Sequence, residues 1–211
     1  MVVKTYYVSK SGNAKLSANF KVKEFASKDN SDKVLIDTEL VTLLQRIRDH
    51  FNSPVVITSA YRTISYNASV GGSSNSNHVK GKAADIQVRG VSPVIVGMFA
   101  QSINAGGIGV YAYTTGGFVH VDTRTVQYRW LTIVRGGSNQ GVAKIMPTIR
   151  QFNDVNSTNA VKLLQRKLGI TQSGYFGGIT TDAVKQFQYQ FGLVADGIVG
   201  EKTWRKLFSW I

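Results

Sequence analysis

The 211-residue chain contains no cysteine. That absence excludes disulfides, thiolate metal sites and a cysteine nucleophile. Any metal must therefore be held by His, Asp or Glu. Acidic residues are scarce too: 12 Asp+Glu stand against 25 Lys+Arg, a formal net charge of +13. Such an excess favours a polyanionic partner, whether nucleic acid, an anionic membrane surface or a cell-wall polymer. No basic block, helix-turn-helix or RNA-binding signature accompanies the charge, so no nucleic-acid partner is expected. No run of 18 apolar residues occurs, so no membrane insertion is expected. The opening stretch MVVKTYYVSKSGNAKLSANF lacks the continuous apolar segment of a secretory signal. The expectation is a cytoplasmic protein that reaches any outside target only when something else, such as a membrane pore, releases it.

What is present suffices for packed cores, with 43% hydrophobic residues, and points to two domains. A Gly/Ser/Asn-rich stretch marks a linker over 136–154, between a domain over 1–135 and a second over 155–211. The second repeats itself: AVKLLQRKLG at 160–169 returns as AVKQFQYQFG at 183–192, an offset of 23. The offset continues through Gly174 and Gly197, Gly177 and Gly200, and Thr180 and Thr203. Each copy predicts an amphipathic helix closed by glycine, with Val161, Leu164 and Leu168 on one face of the first, and Val184, Phe187 and Phe191 on one face of the second. EKTWRKLF predicts a short third helix. The first domain reads as α+β. DTELVTLLQRIRDHF predicts a helix capped by Asp37, with Leu40, Leu43, Leu44 and Ile47 inward and His50 at its surface end. PVVITSAYR and AADIQVRG predict strands, and PVIVGMFAQSIN a helix opening at Pro93. GIGVYAY and GFVHVDTR predict a hairpin closed by a TTGG turn.

Two of the three histidines, His78 and His120, fall in short motifs that also hold an aspartate. SNHVKGKAAD places His78 in a small-residue loop and Asp85 at the start of a strand. GFVHVDTR places His120 and Asp122 on one face of a strand, because alternate residues share a face. Two histidines and a carboxylate with an open fourth position suit a catalytic zinc, and Gly81, Ala83 and Ala84 allow the loop to fold back. His78 and His120, with Asp85 or Asp122, are thus the candidate ligands and Zn²⁺ the candidate cofactor.

SNHVKGKAAD also fits Ser-x-His-x-x-Gly-x-Ala-x-Asp, and GIGVYAYTTGGFVHVDTR, ITSAYRTISYNASVGGSSNSNH and NFKVKEFASKDNSDKVLID extend the likeness over about 18–130. This region resembles the D-Ala-D-Ala carboxypeptidase-type zinc metallopeptidases, relatives of the hedgehog signalling domain. Residues 155–211, with VKLLQRKLG, TTDAVKQFQ and DGIVGEKTWRKL, resemble the three-helix peptidoglycan-binding domain. The resemblance implies a small antiparallel sheet with flanking helices, a three-helix C-terminal domain, and a zinc peptidase cutting stem-peptide or cross-link amides of bacterial peptidoglycan. It is similar to a bacteriophage endolysin: peptidoglycan is the implied partner, anionic wall polymers a further one, and the protein is expected to be a monomer. Carried onto this chain, His78, Asp85 and His120 are the zinc ligands. Arg62 grips a substrate carboxylate or carbonyl, or braces the strand end. Tyr111 donates to an oxyanion or simply packs. Ser76 and Asn67 order the loop or touch substrate. Many relatives carry an acidic general base three residues before the second histidine, where this chain has Gly117. Asp122 is then either the base or the group that orients His120. Two rival readings are a D-Ala-D-Ala carboxypeptidase and a non-catalytic zinc-containing wall-binding protein.

Overall fold

Apolar residues at helical spacing, with Leu40, Leu44 and Ile47 almost wholly buried, drive Thr38–Phe51 into α2. Asp37 starts it by accepting the Glu39 backbone N–H at 3.2 Å, and left-handed Asn52 ends it. The computed structural model describes residues 2–112, 116–132, 140–142, 144–151, 153 and 158–209, and the chain forms two units, Met1–Ile145 and Met146–Ile211.

In the first unit, β1 (Val3–Tyr7) pairs antiparallel with β2 (Lys33–Asp37) as a separate ribbon, with the short helix α1 (Val8–Ser11) and a 3-10 turn (Val22–Phe25) between them. After α2 come β3 (Val55–Ser59), α3 (Ile64–Ser69), β4 (Ala83–Val88) and α4 (Pro93–Ser102). Then follow β5 (Gly107–Tyr111), β6 (Phe118–Asp122), β7 (Tyr128–Thr132) and β8 (Gln140–Gly141). These strands order as β3-β4-β6-β5-β7-β8, antiparallel except for the parallel β5–β7 pair. The α+β expectation holds, with that one parallel pair added to it.

Strand alternation splits the sheet chemically. Ile86, Ile108, Val110, Val119 and Val121 are fully buried, and α4 crosses them so closely that a Cβ at Gly97 would strike Val110. The opposite face carries Asp85, Gly109, His120 and Trp130 in one cross-strand row. The helices therefore cover the apolar face and leave the polar one for chemistry.

The expected boundaries at 135 and 154 are corrected. Strand β8 extends the sheet beyond 135, and the Ile145 N–H donates to Gln101 Oε1 at 2.6 Å. On the other side, Met146 and Ile149 are fully buried in the second unit, where Ile149 pairs with Val199 and Trp204 donates to the Pro147 carbonyl at 2.8 Å. Apolar residues inside a polar stretch override its linker composition; 136–139 and 154, like Thr114 and Thr115 of the expected turn, lie outside the described residues. His50 lies in the last turn of α2, where its half-buried ring stacks on Phe99, with centroids 3.8 Å apart.

The second unit contains α5 (Thr158–Lys167), α6 (Gly178–Gln190) and α7 (Glu201–Ser209). Trp204, Leu164, Val161, Val184 and Leu207 form its core. Among the described residues no helix is long and apolar enough to cross a membrane.

Candidate metal centre

His78 lies in the loop between α3 and β4, and three backbone features aim it. Its carbonyl accepts the Arg62 and Gly81 N–H groups at 3.3 and 3.1 Å. Gly81 has φ +69° and passes so close to Leu35 that a Cβ would overlap the Leu35 backbone. Only glycine meets both demands, which is why the loop can close against β2. Asp85 and His120 are directly opposite each other on β4 and β6.

These placements bring His78 Nε2, His120 Nδ1 and Asp85 Oδ1 together. The nitrogens are 3.2 Å apart, and the carboxylate oxygen is 3.3 Å from His78 and 2.9 Å from His120. All three residues are buried. The outer ring nitrogens determine the protons. His78 Nδ1 lies 2.6 Å from the Ala60 carbonyl, and His120 Nε2 lies 3.1 Å from Asp122 Oδ2. A carbonyl and a carboxylate only accept, so these outer nitrogens donate. When the rings are neutral, two lone pairs and a carboxylate oxygen then converge with no hydrogen between them. Such an arrangement calls for a cation. A tetrahedral zinc with ligand bonds of roughly 2.0–2.2 Å separates its ligand atoms by about 3.3–3.6 Å. The donor set fits zinc, which His78, Asp85 and His120 would hold, with separations at or a few tenths of an ångström below that range.

Charge follows the same geometry. Burial alone would push the Asp85 carboxyl up, but hydrogen bonds from His120 and His78 outweigh it and hold Asp85 well below the usual carboxylate range. Burial disfavours a charged His120, yet the bonds to Asp122 and Asp85 prevail and raise its pKa above the ordinary histidine value. Asp122 is likewise opposed by burial, and is held low by His120 and Arg124.

Asp122 has no exposure to solvent and lies behind His120. Its Oδ1 accepts from the Gly107 N–H at 2.8 Å and the Arg124 N–H at 3.0 Å; its Oδ2 accepts from Arg124 Nη2 at 2.5 Å as well as from His120. Arg62 lies beside the centre, with Nη2 2.7 Å from Asp85 Oδ2 and Nε donating to Ser59 Oγ at 2.9 Å. Asp85 thus turns one oxygen to the histidines and the other to Arg62. Tyr111, two residues along β5 from Gly109, stacks on Phe118 at 4.2 Å and takes the Trp130 Nε1–H on its hydroxyl at 3.0 Å. Ser76 Oγ accepts the His78 N–H at 3.2 Å within the loop, and Asn67 Nδ2, on α3, donates to the Ser73 carbonyl at 2.9 Å. Gly117 offers only its carbonyl, which accepts from Gln87 Nε2 at 2.9 Å.

Sequence reasoning missed Trp130 and Arg124. The Trp130 indole lies 5.0 Å from the His120 ring and over Gly109, where a Cβ would overlap it. Arg124 clamps Asp122 and lies 5.8 Å from the Trp130 ring centroid. One signal was available: glycines at 107 and 109, alternating along a strand, imply close approach from above.

Residues 18–122 match the family model described as Peptidase M15, and residues 157–207 match the putative peptidoglycan binding domain. Over 81 residues the chain is 40% identical to the probable peptidoglycan L,D-endopeptidase MepK of Haemophilus influenzae, covering 36% of this chain and 42% of the relative. Over 95 residues it is 35% identical to the peptidoglycan L,D-endopeptidase MepK of Escherichia coli, covering 42% of this chain and 51% of the relative. It is also 48% identical over 59 residues to an uncharacterized protein in the bpoA1 3' region of Kitasatospora aureofaciens, covering 25% of this chain and 50% of that protein. The chain spans about half the length of the curated relatives it matches.

Proposed function

From a chain whose residues 18–122 belong to the peptidase M15 family and whose residues 157–207 form a peptidoglycan-binding domain, we propose a zinc peptidase that hydrolyses amide bonds in the peptides of bacterial peptidoglycan. The observation that carries this reading is the convergence of His78 Nε2, His120 Nδ1 and Asp85 Oδ1 with their outer atoms held by Ala60, Asp122 and Arg62. The relatives named as peptidoglycan endopeptidases support cleavage within the peptide. A wall-binding domain in the same chain supports a wall-lysing role of the endolysin type, exerted at the cell wall.

Bound at the three ligands, zinc supplies Lewis-acid chemistry, making water nucleophilic near neutral pH and polarising the scissile carbonyl. The protein's own groups do the rest. Ala60 and Asp122 hold the two imidazoles in the tautomers that turn lone pairs inward. Asp122, saturated by donors and closed to solvent, acts by orienting His120 rather than as the general base. Arg62 fixes the outer oxygen of Asp85 and presents its remaining N–H groups to a substrate carbonyl or carboxylate; its planar fork suits both tasks. Tyr111, fixed by Phe118 and Trp130, is assigned the contact to the developing oxyanion.

Mass spectrometry of purified wall fragments after incubation, with and without a chelator, tests the proposal. New chelator-sensitive amino termini within stem or cross-link are expected. Release of terminal alanine alone would replace the endopeptidase with a carboxypeptidase. Bound but uncut wall would leave a zinc-containing wall-binding protein.

A further inference from the structure

The first unit carries an open groove that the zinc chemistry does not use. A cavity of about 480 Å³ lies between β1, the turn at 15–17, β2 and α2. Its floor is apolar, with Ile36 and Val41 buried, and its rim holds Lys4, Lys15 and Arg46. Among the described residues, no carboxylate lines it. Among them, too, none of the three cations forms an ion pair; their one side-chain polar contact is a 3.5 Å bond from Arg46 Nη1 to the Ile103 carbonyl. Asp49, one turn along α2 from Gln45, accepts from Gln45 Nε2 at 2.7 Å. A second cavity of about 410 Å³ shares Thr42 and Arg46 with the first and continues to Arg124, with Glu39 its one exposed acid.

The two cavities form one course across the outer face of α2. Lys4, Lys15 and Arg46 come to the first cavity from β1, the turn at 15–17 and α2, and the second cavity, which Arg46 also lines, adds Arg124. Cations that line two successive cavities outnumber what one small anion needs. They match a chain whose negative charges recur along its length, with hydroxyls such as those of Tyr6 and Thr38 at hand for its polar groups. We propose that this groove binds a phosphodiester-linked polyol chain of the cell wall, laying it along α2 towards Arg124, the residue that clamps Asp122 behind the metal centre. That the chain comes from the wall rests on the functional reading above; the binding of a phosphodiester chain does not.

The test uses the full chain and poly(glycerol phosphate), which contains no bond a peptidase cuts, so its outcome is independent of hydrolysis. Binding is measured against salt for the wild type, for Lys4→Gln/Lys15→Gln/Arg46→Gln, and for the charge-matched Lys23→Gln/Lys28→Gln/Lys33→Gln. By analogy with single-stranded phosphodiesters, removing three contacts should lower the slope of log affinity on log salt by about 2. The groove triple should show that loss and the control triple should not. Equal losses would reduce the effect to net charge and overturn the site. NMR titration of the wild type, independent of any variant, should move Lys4, Thr42 and Arg46 resonances; shifts elsewhere alone would also overturn it. Single-stranded DNA of equal charge is the comparison arm, and binding as tight as that of the polyol chain would overturn the wall assignment.

Discussion

At the scale of single residues, the centre is a competition for His120. Asp122 and Asp85 hold it above its ordinary pKa despite burial, so without metal they favour an imidazolium. In the unfolded chain the same ring titrates near about 6.5. The metal-free fold therefore gains stability from protonated His120 fully below that value, and loses it as pH rises through the higher folded pKa. Asp85 and Asp122 are held low; their contribution is present above the ordinary carboxylate pKa of about 4 and lost as pH falls towards their folded values. Calorimetry of the chelated protein should accordingly show a melting maximum between these limits, with a decline on the alkaline side. Zinc requires the neutral ring, so the rise in melting temperature on adding zinc should grow with pH. Asp122→Asn removes the charge that favours the imidazolium. It should flatten the alkaline decline and weaken zinc by about 10–100-fold. A metal-free melting temperature that climbs steadily through neutral pH would show that His120 is not held charged.

At the scale of elements, the 23-residue repeat is carried by a buried glutamine in each copy. Gln165 Nε2 lies 3.0 Å from each of Ser173 Oγ, the Tyr175 carbonyl and Thr180 Oγ1, among which its two hydrogens are shared, while its Oε1 accepts the Gly174 N–H at 2.9 Å. Gln188 repeats this with Asp196, Ile198, Thr203 and Gly197. Gly174 and Gly197 take φ of +76° and +77°, which is why glycine returns at both places. Replacing either glutamine with Ala leaves buried polar groups unmatched and should cost about 1–3 kcal/mol. The two losses should be similar, as read from urea unfolding followed by NMR signals of residues 158–209. A large loss at one and none at the other would show that only one turn supports the unit. This repeat was legible because helix, turn and cap recur in one register. The helices at 38–51 and 93–102 were legible from Asp37, Pro93 and apolar spacing, and His78, Asp85 and His120 from their motif. Strands β1 and β7 were not: VKTYY exposes most of its residues, and YRWLT joins the sheet through a parallel pairing with β5 that no local pattern encodes. Trp130 stayed hidden for that reason, since its place over His120 depends on the pairing of Gly109 with Trp130.

At the scale of the whole molecule, the question is what each unit does for the other's chemistry. The chain divides at 145/146, and the peptidoglycan-binding match lies entirely in the second unit. If that unit holds the peptidase on its substrate, it acts through effective concentration and not through the chemical step. A fragment of residues 1–145 should therefore cleave soluble stem peptides at about the full-chain rate, yet fall by about 10²-fold or more on intact wall, where avidity can contribute that much. Raising the salt should weaken the capture of wall by both proteins, because the positive charge, +13 in the full chain and most of it in residues 1–145, attracts anionic polymer through screened forces. The fragment must end at 145. Ending it at 135 removes β8 and with it the cover on the β7 edge, which carries Trp130, so that shorter piece should melt lower and lose activity on soluble peptides as well. Equal loss on soluble and insoluble substrates for the 1–145 fragment would instead mean that the second unit takes part in building the metal centre.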